Sequence, residues 1–155
     1  MLGNEALVRG CLEAGVSYVS QYPGTPTSDI GEYFHQILSN FPEFKEYLVH
    51  QWAVNEAVAT SSCAGPAWTG CRSVNPMKHV GLNVAADPLF TAAYTGVQGA
   101  LIVVSADDPG MASSQNEQDN RRYAVAAGLP MLEPSDSQEA YEYFKRGIEI
   151  SERWR

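Results

Sequence analysis

The stretch that decides the fold spans residues 77–89 and reads Met77-Lys78-His79-Val80-Gly81-Leu82-Asn83-Val84-Ala85-Ala86-Asp87-Pro88-Leu89. It follows a short strand-like run, Arg72–Asn75, and continues into a mostly apolar stretch that favours a helix. Polar residues between a strand and a helix are typical of open parallel sheets, in which ligands bind outside the carboxyl ends of the strands. Similar polar turns follow the other strand-like runs, so the sequence predicts a single ligand-binding crevice.

Helices and strands alternate along the whole sequence. We predict helices at Glu5–Ala14, Pro26–Leu38, Glu56–Ala64, Gly81–Tyr94, Arg121–Ala127 and Ser137–Trp154. We predict strands at Val16–Gln21, Tyr47–Trp52, Arg72–Asn75, Gly99–Ser105 and Pro130–Leu132. This alternation predicts βαβ units with right-handed crossovers, and hence an α/β fold with a mainly parallel sheet. Because the last helix has no strand after it, we expect residues 1–155 to be one domain and a fragment of a longer chain.

Three local signals refine these helices. Asn4 is a suitable N-cap for the first helix, and Gly15 is suited to end it. Thr25 could cap the second helix, with Pro26 at its first position. Pro66 is expected to end or kink the third helix, because proline cannot donate a backbone hydrogen bond.

Composition excludes several classes of function. The net charge is −8, and phosphate neutralisation needs clustered basic residues, so we expect no nucleic-acid partner. No apolar run reaches membrane-spanning length, and no signal-peptide pattern begins the chain, so we expect a cytoplasmic protein without a membrane partner. The three cysteines, Cys11, Cys63 and Cys71, form no C-x-x-C pair, so no metal site is predicted in this chain.

The polar turns supply the candidate site residues, each with a plainer alternative. Thr25 could bind an anion at a helix N-terminus or simply cap the helix, and Glu56 could share a proton with a ligand nitrogen or be an ordinary first-turn acid. His79, preceded by Lys78, is either catalytic or structural. The polar run Ser113–Arg121 is either a surface loop or a binding loop. Asp107 and Asp108 are compatible with a plain turn, and the pattern does not establish a metal site there.

Several motifs, in this order along the chain, carry a resemblance to a known family. They are Gly3–Ala6 with Arg9-Gly10, Tyr22–Pro26, Asn55-Glu56, Met77–Leu89, Ala106–Met111, Ser113–Arg121 and Pro130–Ala140. The chain resembles the thiamine diphosphate-dependent 2-oxoacid:ferredoxin oxidoreductases, and within them the alpha subunits that act on indolepyruvate. The resemblance spans nearly the whole chain.

The resemblance implies a three-layer, doubly wound α/β fold, the pyrimidine-binding domain of a thiamine diphosphate enzyme, lacking its last strand. It implies that Glu56 hydrogen-bonds N1′ of the cofactor's aminopyrimidine, and that His79 is a second catalytic residue. It further implies that Thr25 and Lys78 contact the substrate. Finally, it implies that Gly24, Gly81 and Asn83 bind the cofactor together with Glu56.

The implied function is oxidative decarboxylation of aryl pyruvates such as indolepyruvate to acyl-coenzyme A, with ferredoxin as electron acceptor. The family's cysteine-rich iron–sulfur segment and diphosphate-binding domain have no counterpart in these 155 residues. We therefore expect Mg²⁺ and [4Fe-4S] clusters elsewhere in the complete enzyme, and further domains or subunits, including a beta subunit, as partners. The isolated chain is expected to be inactive.

Two other interpretations remain open. The chain could be a non-catalytic α/β binding module that has kept the crevice without the chemistry. It could also be a piece of a non-oxidative 2-oxoacid decarboxylase, which would need no iron–sulfur partner.

Overall fold

A four-stranded parallel sheet forms the centre of the molecule. The computed structural model describes all residues, Met1–Arg155. The strands are β1 (Tyr18–Gln21), β2 (Val49–Trp52), β3 (Arg72–Lys78) and β4 (Ala100–Ala106). They pair in the order β2-β1-β3-β4, and every pair is parallel. The predicted mainly parallel α/β fold is therefore confirmed.

Seven helices surround this sheet. They are α1 (Gly3–Glu13), α2 (Ser28–Asn40), α3 (Glu56–Trp68), α4 (Gly81–Val84), α5 (Ala86–Thr95), α6 (Arg121–Ala127) and α7 (Ser137–Trp154). Two 3₁₀ turns, Pro42–Glu46 and Pro109–Met111, complete the secondary structure. No helix is both long enough and apolar enough to cross a membrane.

The main core lies between the sheet and three of these helices. Helices α1, α2 and α7 contribute apolar side chains to one cluster with β1, β3 and β4, and Phe34 and Ile148 are among its buried members. Helices α3, α4 and α5 form the crossover connections on the opposite face of the sheet. There Cys63 of α3 lies 3.2 Å from the carbonyl oxygen of Val74. The chain thus forms three layers, because a parallel sheet joined by crossover helices has both faces covered.

Four local predictions were wrong. Residues Pro130–Leu132 are not a strand, because no neighbouring strand pairs with them. Helix α3 continues through Pro66 to Trp68, since the proline lies in the last turn and costs a single hydrogen bond. The helix predicted at Gly81–Tyr94 is divided at Ala85, which places Pro88 in the first turn of α5, where a missing N–H is tolerated.

The fourth error concerns the helix starts. Helix α1 begins after Leu2, and the Asn4 side chain instead donates a hydrogen bond to the carbonyl oxygen of Pro26. Helix α2 begins after Thr27, so Thr25 is not its cap. Gly15 does end the α1 region with the left-handed backbone that glycine favours (φ 66°), as predicted.

His50 of β2 makes the stability of the fold depend on pH. Its ring stacks on Phe34 and meets Trp52 edge-on, and its Nε2 atom is buried without a hydrogen-bond partner. Burial, and secondarily the charge of His35, lower the pKa of His50 to about 4. The unfolded chain therefore takes up a proton near pH 6.5, well before the folded chain does.

We predict that stability is fully present above about pH 6.5 and falls as the pH is lowered towards 4. The His50→Phe variant keeps an aromatic ring but cannot titrate. Its free energy of unfolding should fall by about 1–2 kcal/mol less than that of the parent over this pH range. Urea unfolding between pH 7 and pH 4 measures this, with Tyr94→Phe, a change at an exposed aromatic residue that does not contact the His50 ring, as control. Equal acid sensitivity of His50→Phe and the parent would contradict the assignment.

Candidate functional site

A crevice opens where β1 and β3 stop pairing. These neighbours pair only at Tyr18 with Ser73 and at Val19 with Val74, whereas β3 pairs with β4 along its whole length. The carbonyl oxygen of Arg72 accepts a hydrogen bond from the N–H of Ser17, directly before β1, and so faces that strand. Because every second residue of a strand faces the same neighbour, Pro76 also has its nitrogen on the β1 side. Proline has no N–H to donate, and the two strands therefore separate at their carboxyl ends.

Buried polar side chains fill the floor of this crevice. Asn75 donates a hydrogen bond of 2.7 Å to the carbonyl oxygen of Ser20, which takes the place of the missing ladder bond. Thr60 of α3 lies 2.6 Å from Asn75 Oδ1 and fixes that amide. Ser20 Oγ and Gln21 Oε1 are buried without a partner. The crevice is thus polar at its base, at the point where the strand order reverses, and such points are where α/β sheets bind ligands.

The turn after β1 forms one wall. Thr27 closes it, because both its N–H and its hydroxyl donate to the carbonyl oxygen of Gly24 at 2.8 Å. A Cβ added to Gly24 would lie 3.0 Å from Lys78 Cβ, so this glycine allows the turn to lie directly against the end of β3. Thr25 is exposed at this turn, where its hydroxyl can reach a ligand.

Glu56 enters from the start of α3. Asn55 caps this helix by accepting a hydrogen bond from the N–H of Val58, which holds Glu56 in the first turn. The Glu56 side chain is 9% exposed, and its carboxylate forms no hydrogen bond within the chain. A Cβ added to Gly81 would lie 2.6 Å from Glu56 Cγ and 2.7 Å from Oε1. The glycine therefore makes the space that the acid occupies, and the carboxylate remains free for a ligand.

Lys78 and His79 form the end of β3. Lys78 donates to the carbonyl oxygen of Ser113, 3.0 Å from its Nζ atom. His79 is fully buried, and its Nε2 atom lies 3.0 Å from the carbonyl oxygen of Asn116. The structure thus brings Gly24, Lys78 and His79 together at one edge of the crevice and pairs Glu56 with Gly81.

Asn83 differs from the other predicted site residues. Its Oδ1 atom accepts a hydrogen bond from the Tyr123 hydroxyl at 2.6 Å, and its amide exchanges hydrogen bonds with Gln118. Its amide is therefore engaged with the loop that follows β4. A role of Asn83 at the cofactor stays a prediction.

Sequence reasoning missed the individual roles of three amides in the Ser113–Arg121 run. Asn116, Gln118 and Asn120 all contact His79, which lies on a different strand end. The available signal was their spacing, since the three amides occupy every second position of the run and the residues between them are exposed. Asp108 anchors the start of this run, and hydrogen bonds from Ser114 and Ser113 lower the pKa of its carboxyl group.

The crevice fits part of the cofactor that the resemblance implies. A buried carboxylate without a partner suits the ring nitrogen of an aminopyrimidine, and Gly81 makes the space that this carboxylate occupies. The chain holds no cluster of three His, Cys, Asp or Glu side chains that could bind a metal ion. The residues present therefore fit the pyrimidine end of thiamine diphosphate.

Comparison with known proteins gives a consistent result. Residues 9–155 match the family described as "Pyruvate flavodoxin/ferredoxin oxidoreductase, thiamine diP-bdg". The chain is 50% identical to the indolepyruvate oxidoreductase subunit IorA of Methanothermobacter marburgensis over 100% of its own length and 24% of that protein. It is 46% identical to the subunit of the same name from Archaeoglobus fulgidus, over 99% of this chain and 25% of that one.

A solved structure shows the same fold. The 2-oxoglutarate:ferredoxin oxidoreductase of Magnetococcus marinus superposes with a TM-score of 0.78 at 20% identity, over 97% of this chain and 27% of that one. The chain thus spans about a quarter of the length of the curated relatives it matches.

The contact between Gly81 and Glu56 gives a direct test of the site geometry. We predict that Gly81→Ala displaces the Glu56 carboxylate, because the added Cβ would lie within 2.7 Å of its Oε1 atom. The variant should lose about 1–3 kcal/mol of stability from overpacking. Thermal unfolding measures this, with Gly65→Ala as the matched control, since nothing lies within 4 Å of an added Cβ at Gly65. Equal melting temperatures for Gly81→Ala and the parent would show that the acid lies elsewhere.

Proposed function

Because the chain belongs to the thiamine diphosphate-binding family of pyruvate flavodoxin/ferredoxin oxidoreductases, we propose that it forms the pyrimidine-binding side of a 2-oxoacid:ferredoxin oxidoreductase active site. The observation that carries the proposal is the free carboxylate of Glu56, 9% exposed at the switch-point crevice. The proposed substrates are aryl pyruvates such as indolepyruvate, oxidised to the acyl-coenzyme A with ferredoxin as electron acceptor. This choice is supported by identities of 43–51% to indolepyruvate oxidoreductase subunits.

Each site residue has a proposed role. Thiamine diphosphate, when bound, supplies a carbon nucleophile and accepts the electrons released as CO₂ leaves. Glu56 hydrogen-bonds the ring nitrogen of the aminopyrimidine and holds a proton there. Gly81 shapes the pyrimidine site by making the space for Glu56, and Gly24 shapes it by letting the turn after β1 lie against Lys78. Asn83 contacts the cofactor.

The remaining residues act on the substrate side. Thr25, exposed at the turn after β1, offers its hydroxyl to the carboxylate or keto oxygen of the 2-oxoacid. Lys78 supplies the positive charge that an anionic substrate requires, and its half-buried position at the end of β3 is close to Gly24. His79 is proposed as the second catalytic residue, which takes part in the proton transfers of the reaction.

The rest of the enzyme has to supply what these residues lack. We propose that a further domain binds the diphosphate through Mg²⁺, and that [4Fe-4S] clusters in other domains or a beta subunit carry electrons to ferredoxin. Coenzyme A would accept the acyl group there. The isolated 155-residue chain is proposed to be inactive on its own.

We predict that Glu56→Gln in the complete enzyme lowers kcat for indolepyruvate oxidation by about 10²–10⁴, because an amide cannot hold the proton at the ring nitrogen. Reduction of methyl viologen in the presence of indolepyruvate and coenzyme A measures this. Glu46→Gln, an exposed acid in the 3₁₀ turn after α2, is the matched control and should leave kcat unchanged. Full activity of Glu56→Gln would favour the non-catalytic binding module. Release of CO₂ from indolepyruvate without viologen reduction, by an enzyme without iron–sulfur clusters, would favour the decarboxylase.

The sheet supports the proposal that this domain belongs to a longer chain. The even-numbered residues of β4 face β3, since Ala100 donates to Cys71 and Ala106 accepts from His79. Val103 and Ser105 consequently face the free edge, and their backbone groups have no partner. Arg155 lies beside Gly96 and Gln98, near the start of β4. We propose that the segment following Arg155 runs parallel to β4 and completes this edge.

We predict that the Val103 and Ser105 amides exchange hydrogen rapidly in the 155-residue chain and at least about 100-fold more slowly in the complete polypeptide. The Val104 amide, which faces β3, is the internal control and should be protected in both. Hydrogen exchange followed by mass spectrometry measures this. Equal exchange at Val103 in the two proteins would contradict the added strand.

A further inference from the structure

Three amide side chains of one loop converge on a single residue of the crevice. The segment 113–120 follows β4, and its residues Asn116, Gln118 and Asn120 occupy every second position, with exposed residues between them. Gln118 Nε2 and Asn120 Nδ2 both lie 3.1 Å from the carbonyl oxygen of His79. Asn116 contacts the ring of His79 with its carbonyl oxygen at 3.0 Å and its Oδ1 atom at 3.1 Å. Both the backbone and the side chain of His79 are therefore held by this segment.

The contact with Asn116 determines which nitrogen of His79 carries hydrogen. A backbone carbonyl can only accept a hydrogen bond, so His79 Nε2 has to donate. In the neutral ring the hydrogen is then on Nε2, and Nδ1 has a free lone pair. Nδ1 is buried and has no partner within the chain. The ring is thus fixed by one nitrogen and leaves the other available as an acceptor.

The segment is itself anchored to two strand ends. Asp108 Oδ2 accepts hydrogen bonds of 2.7 Å from the Ser113 N–H and the Ser114 hydroxyl. At the other end Asn120, which is 3% exposed, lies 2.6 Å from the Ser105 hydroxyl of β4. Since these anchors lie at the end of β4 and His79 at the end of β3, the segment joins the two strand ends beside the crevice.

Movement of His79 would be transmitted to the proposed catalytic acid. Gly81, two residues after His79, lies against the Glu56 carboxyl group with no room for a methyl group. A shift of about 1 Å at a reacting group can cost about 10² in rate. The segment therefore contacts both the His79 ring and the backbone that leads to Gly81.

We propose that Asn116 and Gln118 are positioning residues, which hold His79 in the Nε2–H tautomer and keep the turn from His79 to Gly81 against Glu56. The proposal deepens the proposed function and rests on it for its kinetic consequences, but the tautomer is a property of the fold alone. Gln118 is the sharper residue to change, because Gln118→Glu keeps the shape of the side chain and removes its donor to His79. Gln115→Glu is the matched control, since Gln115 is exposed and its side chain makes no hydrogen bond.

Two measurements on these variants test the proposal. The imidazole ¹⁵N shifts of the 155-residue chain, which has three histidines, should show Nε2–H with a bare Nδ1 for His79 in the parent and in Gln115→Glu. In Gln118→Glu the contact of the ring with Asn116 remains, so the Nε2–H tautomer should be kept while the turn from His79 to Gly81 loses a hydrogen-bond donor. In the complete enzyme, Gln118→Glu should lower kcat for indolepyruvate-dependent methyl viologen reduction by about 10–100-fold, with KM changed by less than about twofold.

The outcomes separate this proposal from the proposed function. An Nδ1–H tautomer in the parent overturns it, as does a folded Gln118→Glu variant with kcat within about twofold of the parent. If the parent enzyme has no indolepyruvate-dependent activity, the proposed function fails, and the ¹⁵N shifts still decide whether the segment sets the tautomer.

Discussion

The site depends on one missing hydrogen bond in the middle of the sheet. Pro76 faces β1 and has no N–H, so the ladder between β1 and β3 ends after Val74, although β1 stays paired with β2 and β3 with β4. An unsatisfied carbonyl group at this depth would be costly, and the amide of Asn75 satisfies it by donating to Ser20. The cleft between two neighbouring strands is therefore built into the sequence of β3. The side chains proposed to contact a ligand are arranged around it.

Two glycines allow the walls of this cleft to pack closely against the proposed site residues. Gly24 allows the turn after β1 to touch Lys78, and Gly81 allows Glu56 to lie against the turn after β3. Helix α3 begins at Glu56 and is packed against the sheet through Thr60 and Cys63, so its first turn is firmly placed. Burial raises the pKa of the Cys63 thiol to about 12, which keeps it an unreactive packing group beneath the site. The start of α3 and the turn after β3 thus fix the position of the Glu56 carboxylate, although it forms no hydrogen bond within the chain.

The sequence was sufficient for the sheet, because alternating apolar runs and polar turns have few other solutions. It also placed Glu56 at a helix start and Lys78 and His79 at a strand end, since strand ends can be read from local pattern. It failed where the outcome depends on neighbours distant in sequence. Pro130–Leu132 has strand composition but no strand beside it, and Pro76 continues β3 because β4 supplies its pairing. The contacts of Asn116 and Gln118 with His79 join residues 37 and 39 positions apart, which no local pattern encodes.

The central claim is that the carboxylate of Glu56 receives the pyrimidine ring at the cleft between β1 and β3. A crystal structure of the complete enzyme with thiamine diphosphate tests it most directly. The account predicts that the ring nitrogen N1′ lies within about 3 Å of a Glu56 carboxylate oxygen, with Gly81 beneath the ring. A pyrimidine ring bound away from this cleft, with Glu56 bonded to protein groups instead, would contradict it.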